Sequence, residues 1–194
     1  MIDLRILDAH SQREQLWPLS VEAYRKLGEA RLIPEKTELL QGLIFRKHKT
    51  TPFHRAILQR LIDRLNAVLR RDAFWLQSEQ PISCGDSEPE PDVSVVRGSN
   101  EDFLDRHPDT AELAIEIAIN SREMDRAKAA IYAAAGVKEY WMVDVNAQAI
   151  HIQSGPMELG YQKRMTVTED ETAESTVVPE FRVRVAALLA RQRS

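Results

Sequence analysis

The chain has 194 residues, 43% of them hydrophobic, and a formal net charge of −4. That length and apolar content suit one domain with a real core and argue against a disordered chain. The mild acidity gives no global attraction to nucleic acid, so such a partner would need a local basic patch, and the lone Cys84 excludes an intrachain disulfide framework or a cysteine-based zinc site.

The opening MIDLRILDAHSQREQ is charged throughout, unlike a signal peptide, and no apolar run approaches the length of a membrane span. A cytoplasmic protein with no membrane partner is expected. One domain over residues 1–194 is also expected, with 1–19 as an N-terminal arm. From Ser20, SVEAYRKLGEARL predicts a helix with Ser20 as its N-cap. TELLQGLIFRK predicts a hairpin turning at Gln41-Gly42. TPFHRAILQRLIDRLNAVLRR follows with Pro52 in the first turn and apolar residues at helical spacing from Phe53 to Leu69. Its other face carries Arg55, Arg60, Arg64, Arg70 and Arg71, which is either a solvated face or a phosphate-facing one.

FWLQSEQPIS and DVSVV read as strands. In ELAIEIAI the residues Leu113, Ile115, Ile117 and Ile119 point one way, and Ala114, Glu116 and Ala118 the other. NSREMDRAKAAIYAAAG predicts a helix opened by an Asn120–Glu123 capping box and stopped by Gly136. YWMVDV and AIHIQ predict a strand pair, followed by YQKRMTVT, a short strand near FRVRV and a terminal helix over VAALLARQR. Helices alternating with strands in this order imply a mixed sheet with helices on its faces.

Two carboxylates stand out. Asp92 opens a strand after EPEP, whose prolines keep the chain extended. Glu116 lies in the middle of an apolar strand between two alanines, a costly place for a charge without compensation. If their strands pair, both converge on one hard cation of the Mg²⁺ type, with the Ile117 carbonyl as a third ligand. The plainer readings are a turn residue for Asp92 and a solvent-facing strand residue for Glu116. On the next helix Asp125, Lys128 and Tyr132 share a face. Lys128 there either offsets charge on a phosphate or pairs with Asp125. Glu38 alone reads as a hairpin surface charge, His54 as a helix-start surface histidine, and Tyr132, Tyr140 and Trp141 as packing residues.

The ordered set PDVSVV, Glu116-Ile117-Ala118, Asp125-x-x-Lys128-x-x-x-Tyr132 and GVKEYWMVD resembles the Uma-type restriction endonuclease family of the PD-(D/E)xK nuclease superfamily. TELLQG and TPFHRAILQRL resemble that family's glutamate hairpin and histidine-bearing long helix, so the likeness spans residues 20–190. It implies an α/β (α+β) restriction-endonuclease-like core, a mixed β-sheet flanked by helices, over residues 20–194. It also implies a metal-dependent site that hydrolyses DNA phosphodiester bonds. Position by position, Asp92 and Glu116 match the metal-binding acids and Glu38 the early glutamate. Ala118 stands where the superfamily pattern has its lysine, which points to Lys128 instead. Gln41, often acidic in the family, and Ile119-Asn120, often Ser-Pro, depart from the pattern. Mg²⁺ or Mn²⁺ is the implied cofactor. Arg46, Lys47 and Lys49 near the hairpin, with Arg55, Arg60 and Arg64 on the long helix, are candidate DNA-backbone contacts. A homodimer is expected by analogy with enzymes that cut two strands. The competing readings are a non-catalytic DNA-binding or assembly module on the same fold, and a metal-dependent enzyme acting on RNA or a nucleotide.

Overall fold

The computed structural model describes residues 16–47 and 50–191. The first fifteen residues of the expected N-terminal arm therefore lie outside the described part. Helix α1 (Val21–Glu29) starts where predicted, with the Ser20 hydroxyl accepting from the Ala23 N–H at 3.1 Å. Strands β1 (Thr37–Leu40) and β2 (Leu43–Arg46) pair antiparallel around Gln41 and Gly42, whose φ values are 50° and 74°. Positive φ at both central residues suits a two-residue hairpin turn. Gly42 also has no room for a side chain, since a Cβ there would stand 2.3 Å from Pro18 Cβ. The end of the N-terminal arm is thus clasped to the turn, and Leu19 N–H donates to the Gly42 carbonyl at 3.0 Å.

Helix α2 (Pro52–Val68) begins with Thr51 as N-cap and Pro52 in the first turn. Its apolar stripe, Ile57, Leu58, Leu61 and Leu65, is buried. Cutting a residue such as Leu61 back to alanine costs about 2–5 kcal/mol in a packed core.

Six strands form the main sheet, in the order β3 (Phe74–Ser78), β4 (Val93–Arg97), β5 (Leu113–Ala118), β6 (Glu139–Asp144), β7 (Ala149–Met157) and β8 (Gly160–Thr168). Neighbours run antiparallel except β5 and β6, which are parallel. A parallel pair needs a crossover, and helix α3 (Arg122–Ala134) supplies it. Gly136, at φ 74°, turns the chain out of α3 as predicted. The expected Asn120–Glu123 capping box does not form. The N-cap is Ser121, and its hydroxyl bonds to the Asp125 carboxylate instead of a helix N–H.

The central strands β4, β5 and β6 are buried on both faces. Leu113, Ile115 and Ile117 join one core with the α2 stripe, Trp141, Val143 and the C-terminal residues Phe181, Val183 and Leu188. Ala114 and Ala118 join the other, with Ala129, Tyr132, Ala133, Tyr140 and Met142. The alternation read from ELAIEIAI is therefore a division between two cores, and Glu116 belongs to the α3 side. Strands β9 (Thr172–Glu174) and β10 (Arg182–Arg184) pair apart from the main sheet, and α4 (Val185–Leu189) is shorter than the helix expected over VAALLARQR. Among the described residues no helix is long and apolar enough to cross a membrane.

Candidate active site

The acidic turn before β4 is held one carboxylate at a time. Glu88 is gripped by the Arg25 guanidinium of α1, with contacts down to 2.6 Å. Glu90 takes the Lys47 ammonium at 2.8 Å. Asp92 has no lysine or arginine among its described contacts. Its Oδ2 accepts the Ile117 N–H of β5 at 2.7 Å, and its Oδ1 lies 3.2 Å from His54 Nε2 on α2. The β4–β5 register sets Val93 against Ile115, so Asp92 stands one step further on, opposite Glu116.

The same turn brings in the hairpin. Glu88 bridges to Leu39, with its N–H donating to the Leu39 carbonyl at 2.7 Å. This pairing carries Glu38 inward, where it is only 4% exposed and its carboxylate lies within 3.5 Å of the Glu90 N–H. A surface hairpin charge is thus not what Glu38 is.

Helix α3 closes the group from the other side. Lys128 Nζ lies 2.8 Å from Glu38 Oε2, 3.1 Å from Glu116 Oε1 and 3.9 Å from Asp125 Oδ1. The intrahelical pair with Asp125 exists but is the longest of the three. Tyr132, one turn further along α3, donates its hydroxyl to the same Glu116 Oε1 at 2.8 Å. Tyr132 therefore packs and also orients the carboxylate. Tyr140 fills the space behind it and donates to the Asp125 carbonyl at 2.7 Å.

Electrostatics follow from burial and crowding. Burial pushes the Glu116 carboxyl up to about 8. Lys128 pulls it down, and Asp125, Asp92 and Glu38 push it up further. Asp125 is raised for the same reason, again opposed by Lys128. Burial alone would lower the Lys128 ammonium, but Glu116, Glu38 and Asp125 outweigh it and hold it above its ordinary value. Lys47 behaves likewise. Burial opposes its charge, and Glu90, with smaller help from Glu116 and Glu38, raises it.

These residues line one cleft of about 280 Å³. Its walls hold Glu38, Asp92, Glu116, Ile117 and Lys128, all expected from the sequence, together with Arg46, Lys47 and His54. Lys49 lies outside the described residues. Arg55, Arg60 and Arg64 are not on the cleft wall. Arg55 and Arg64 are exposed on α2, whereas Arg60 is half-buried and donates to the Leu188 carbonyl at 2.6 Å, which ties it to the C-terminal segment. His54 is the site residue that sequence reasoning passed over. The Thr51-Pro52 helix start was its available signal, because that start fixes a residue two positions on against whatever the helix packs on.

Among the described residues no group of three His, Cys, Asp or Glu side chains is arranged to hold a metal ion by itself. Lys128 stands among the acids instead. Mg²⁺ does not require such a cage, since it keeps several waters and takes one or two carboxylates. Asp92 and Glu116, with the Ile117 carbonyl beside them, offer that hard-oxygen set. A buried carboxylate crowded by other acids is also relieved by a nearby cation. The residues present therefore fit Mg²⁺.

Comparisons with known proteins bear on the family and the fold. Residues 21–186 match the Uma2 family, described as "Putative restriction endonuclease". A crystal structure of a "putative nuclease belonging to DUF820" from Anabaena variabilis ATCC 29413 superposes with a TM-score of 0.74 at 18% identity. The match covers 89% of this chain and 98% of that one. At that identity the likeness shows a shared fold. No match was found among the curated proteins. The family match spans most of the chain, and the chain belongs to the Uma2 family.

Proposed function

We propose that the cleft hydrolyses DNA phosphodiester bonds with a divalent metal. The observation that carries this reading is Glu116, a buried carboxylate set beside Asp92 and Lys128 in an open cleft. Perturbed acids of this kind, gathered with a lysine in a cleft, mark reactive sites. Asp92 and Glu116, with the Ile117 carbonyl, would hold Mg²⁺ or Mn²⁺. Bound there, the ion supplies Lewis acidity at the scissile phosphate and a water of lowered pKa.

The chain's own residues supply the rest. Lys128 presents an ammonium, fixed by Glu38, to the negative charge that grows on a phosphate in the transition state. Glu38 acts here as the anchor of that lysine. Ile117 N–H orients Asp92, and Tyr132 orients Glu116. Arg46 and Lys47, on the hairpin side of the cleft, meet the DNA backbone, and such contacts give salt-dependent, sequence-blind affinity. Arg55 and Arg64 on α2 extend that surface beyond the cleft. Cutting both strands calls for two such clefts, so a homodimer belongs to this reading.

The test is a supercoiled-plasmid nicking assay with Mg²⁺ titrated in. Asp92→Ala should lose activity by on the order of 10³-fold while melting like the parent. Lys128→Ala should cut slowly yet still bind metal. An active Asp92→Ala variant would refute the assignment. DNA binding by the parent with no Mg²⁺-dependent cleavage would make the protein a non-catalytic module on this fold.

A further inference from the structure

Three acids of one short turn are held in two different ways. Glu88 and Glu90 face cations, Arg25 and Lys47. Asp92 faces the His54 ring, with Nε2 at 3.2 Å from Oδ1. The ring's other nitrogen, Nδ1, is buried and has no hydrogen-bond partner among the described residues. A proton on Nδ1 would have no acceptor, and the Nε2 lone pair would then face the carboxylate. The ring therefore turns Nε2 toward the Asp92 carboxylate, the one polar neighbour described for it.

The helix start makes this contact rigid. The Thr51 hydroxyl accepts the His54 N–H at 3.1 Å, and Pro52 fixes the first turn. One turn on, Ile57 and Leu58 are sunk in the core. The Ile117 N–H donates to Oδ2 and the His54 ring stands beside Oδ1, so each Asp92 oxygen has a neighbour that limits how the carboxylate turns. An arginine or lysine in place of His54 would neutralise Asp92 and compete with a bound cation.

We infer that His54 is a positioning residue for Asp92: it holds the carboxylate in place for a divalent cation. This rests on the reading of Asp92 as a metal ligand. Partners that orient a ligand from behind change metal affinity about 10–100-fold when lost.

The experiment is calorimetric Mg²⁺ binding to the full chain, alongside the Mg²⁺ dependence of nicking. His54→Leu keeps bulk and removes the donor. His54→Gln keeps an amide N–H within reach of Asp92. His54→Leu should weaken Mg²⁺ binding about 10–100-fold and raise the half-activating Mg²⁺ concentration by the same factor, with a smaller fall in rate at saturating metal. His54→Gln should recover most of that affinity. A purely structural role would lower stability and leave the Mg²⁺ midpoint in place. If His54→Leu does not fold, His54→Asn, too short to reach Asp92, takes its place. Binding that is lost in Asp92→Ala but unchanged in the folded donor-less variant overturns this inference alone. A parent that binds no Mg²⁺ overturns the proposed function and the inference with it.

Discussion

β5 and β6 each bury a glutamate, Glu116 and Glu139, on adjacent parallel strands. Glu139 sits at the start of β6 beside Leu113, and Glu116 sits late in β5 beside Met142. Among the described residues Glu139 is answered by neutral donors. Its Oε1 accepts the Trp141 indole N–H at 2.8 Å, and its Oε2 accepts the Thr176 N–H at 3.0 Å and the Thr176 hydroxyl at 2.5 Å. Those bonds fasten β6 to the segment ahead of β10. Glu116 is built otherwise. Both bonds described to it fall on Oε1, and its neighbours include three more acids. The first arrangement fills both oxygens from within the chain, as a structural buried carboxylate requires. The second leaves capacity at one oxygen, in a crowd of acids that a cation would relieve, which suits a ligand.

The largest expected effect separates the two by activity. Glu116→Gln keeps the shape and the bond from Tyr132 but removes the charge, and it should slow Mg²⁺-dependent nicking by on the order of 10³-fold. Its melting temperature should equal or exceed that of the parent, because a strained functional group has been relieved. Initial rates and thermal melts of the same preparation check both halves. The opposite pattern is expected of Glu139→Gln. It turns an amide N–H₂ toward a donor, either the Trp141 indole or Thr176, and should lower unfolding free energy by about 1–3 kcal/mol in denaturant melts. Its cleavage rate per folded molecule should be that of the parent, and a large rate loss would erase the distinction between the two glutamates.

The third effect is a slope. In the folded protein Glu116 keeps its proton up to about 8, whereas its ordinary value is 4.5. Between those values the folded state binds more protons than the unfolded one, so stability falls as pH rises. The stabilising share is fully present below 4.5 and is lost as pH passes through about 8. Asp125, raised in the same direction, adds to the slope. Thermal melts in chelator across this range should show the decline, with less of it in Glu116→Gln and all of it in Glu139→Gln. Saturating Mg²⁺ should flatten it. A flat profile in chelator would mean that the folded site keeps Glu116 ionised unaided.

Much of the frame was legible from local pattern. The α2 stripe, the Gln41-Gly42 turn and the β5 alternation depend on neighbours in sequence, and each appears where expected. The site was legible in part. Glu116 could be singled out as a charge inside an apolar strand, Asp92 as the acid that opens a strand after the prolines, and Lys128 as the lysine that shares a helix face with Asp125 and Tyr132. Glu38 could not be read from its own surroundings, because its burial comes from Glu88 pairing with Leu39 across the chain. His54 was passed over for the same reason: its partner Asp92 lies on another element, and the Thr51-Pro52 start beside it does not name that partner. The arginine row on α2 shows the converse failure. A continuous polar face suggested one job, but Arg60 turns toward the Leu188 carbonyl and leaves the row.

Ala114 and Ala118 flank Glu116 on β5, and Ala129 and Ala133 join them from α3 in the same core. Methyl groups on both sides let the helix settle low over the strand. The gap they leave acts as a gauge block for the lysine: its four-carbon arm spans the space to Glu116, and a deeper layer of leucines would lift it clear. The unremarkable alanines of this interface thereby set the tolerance to which the charged residues are machined.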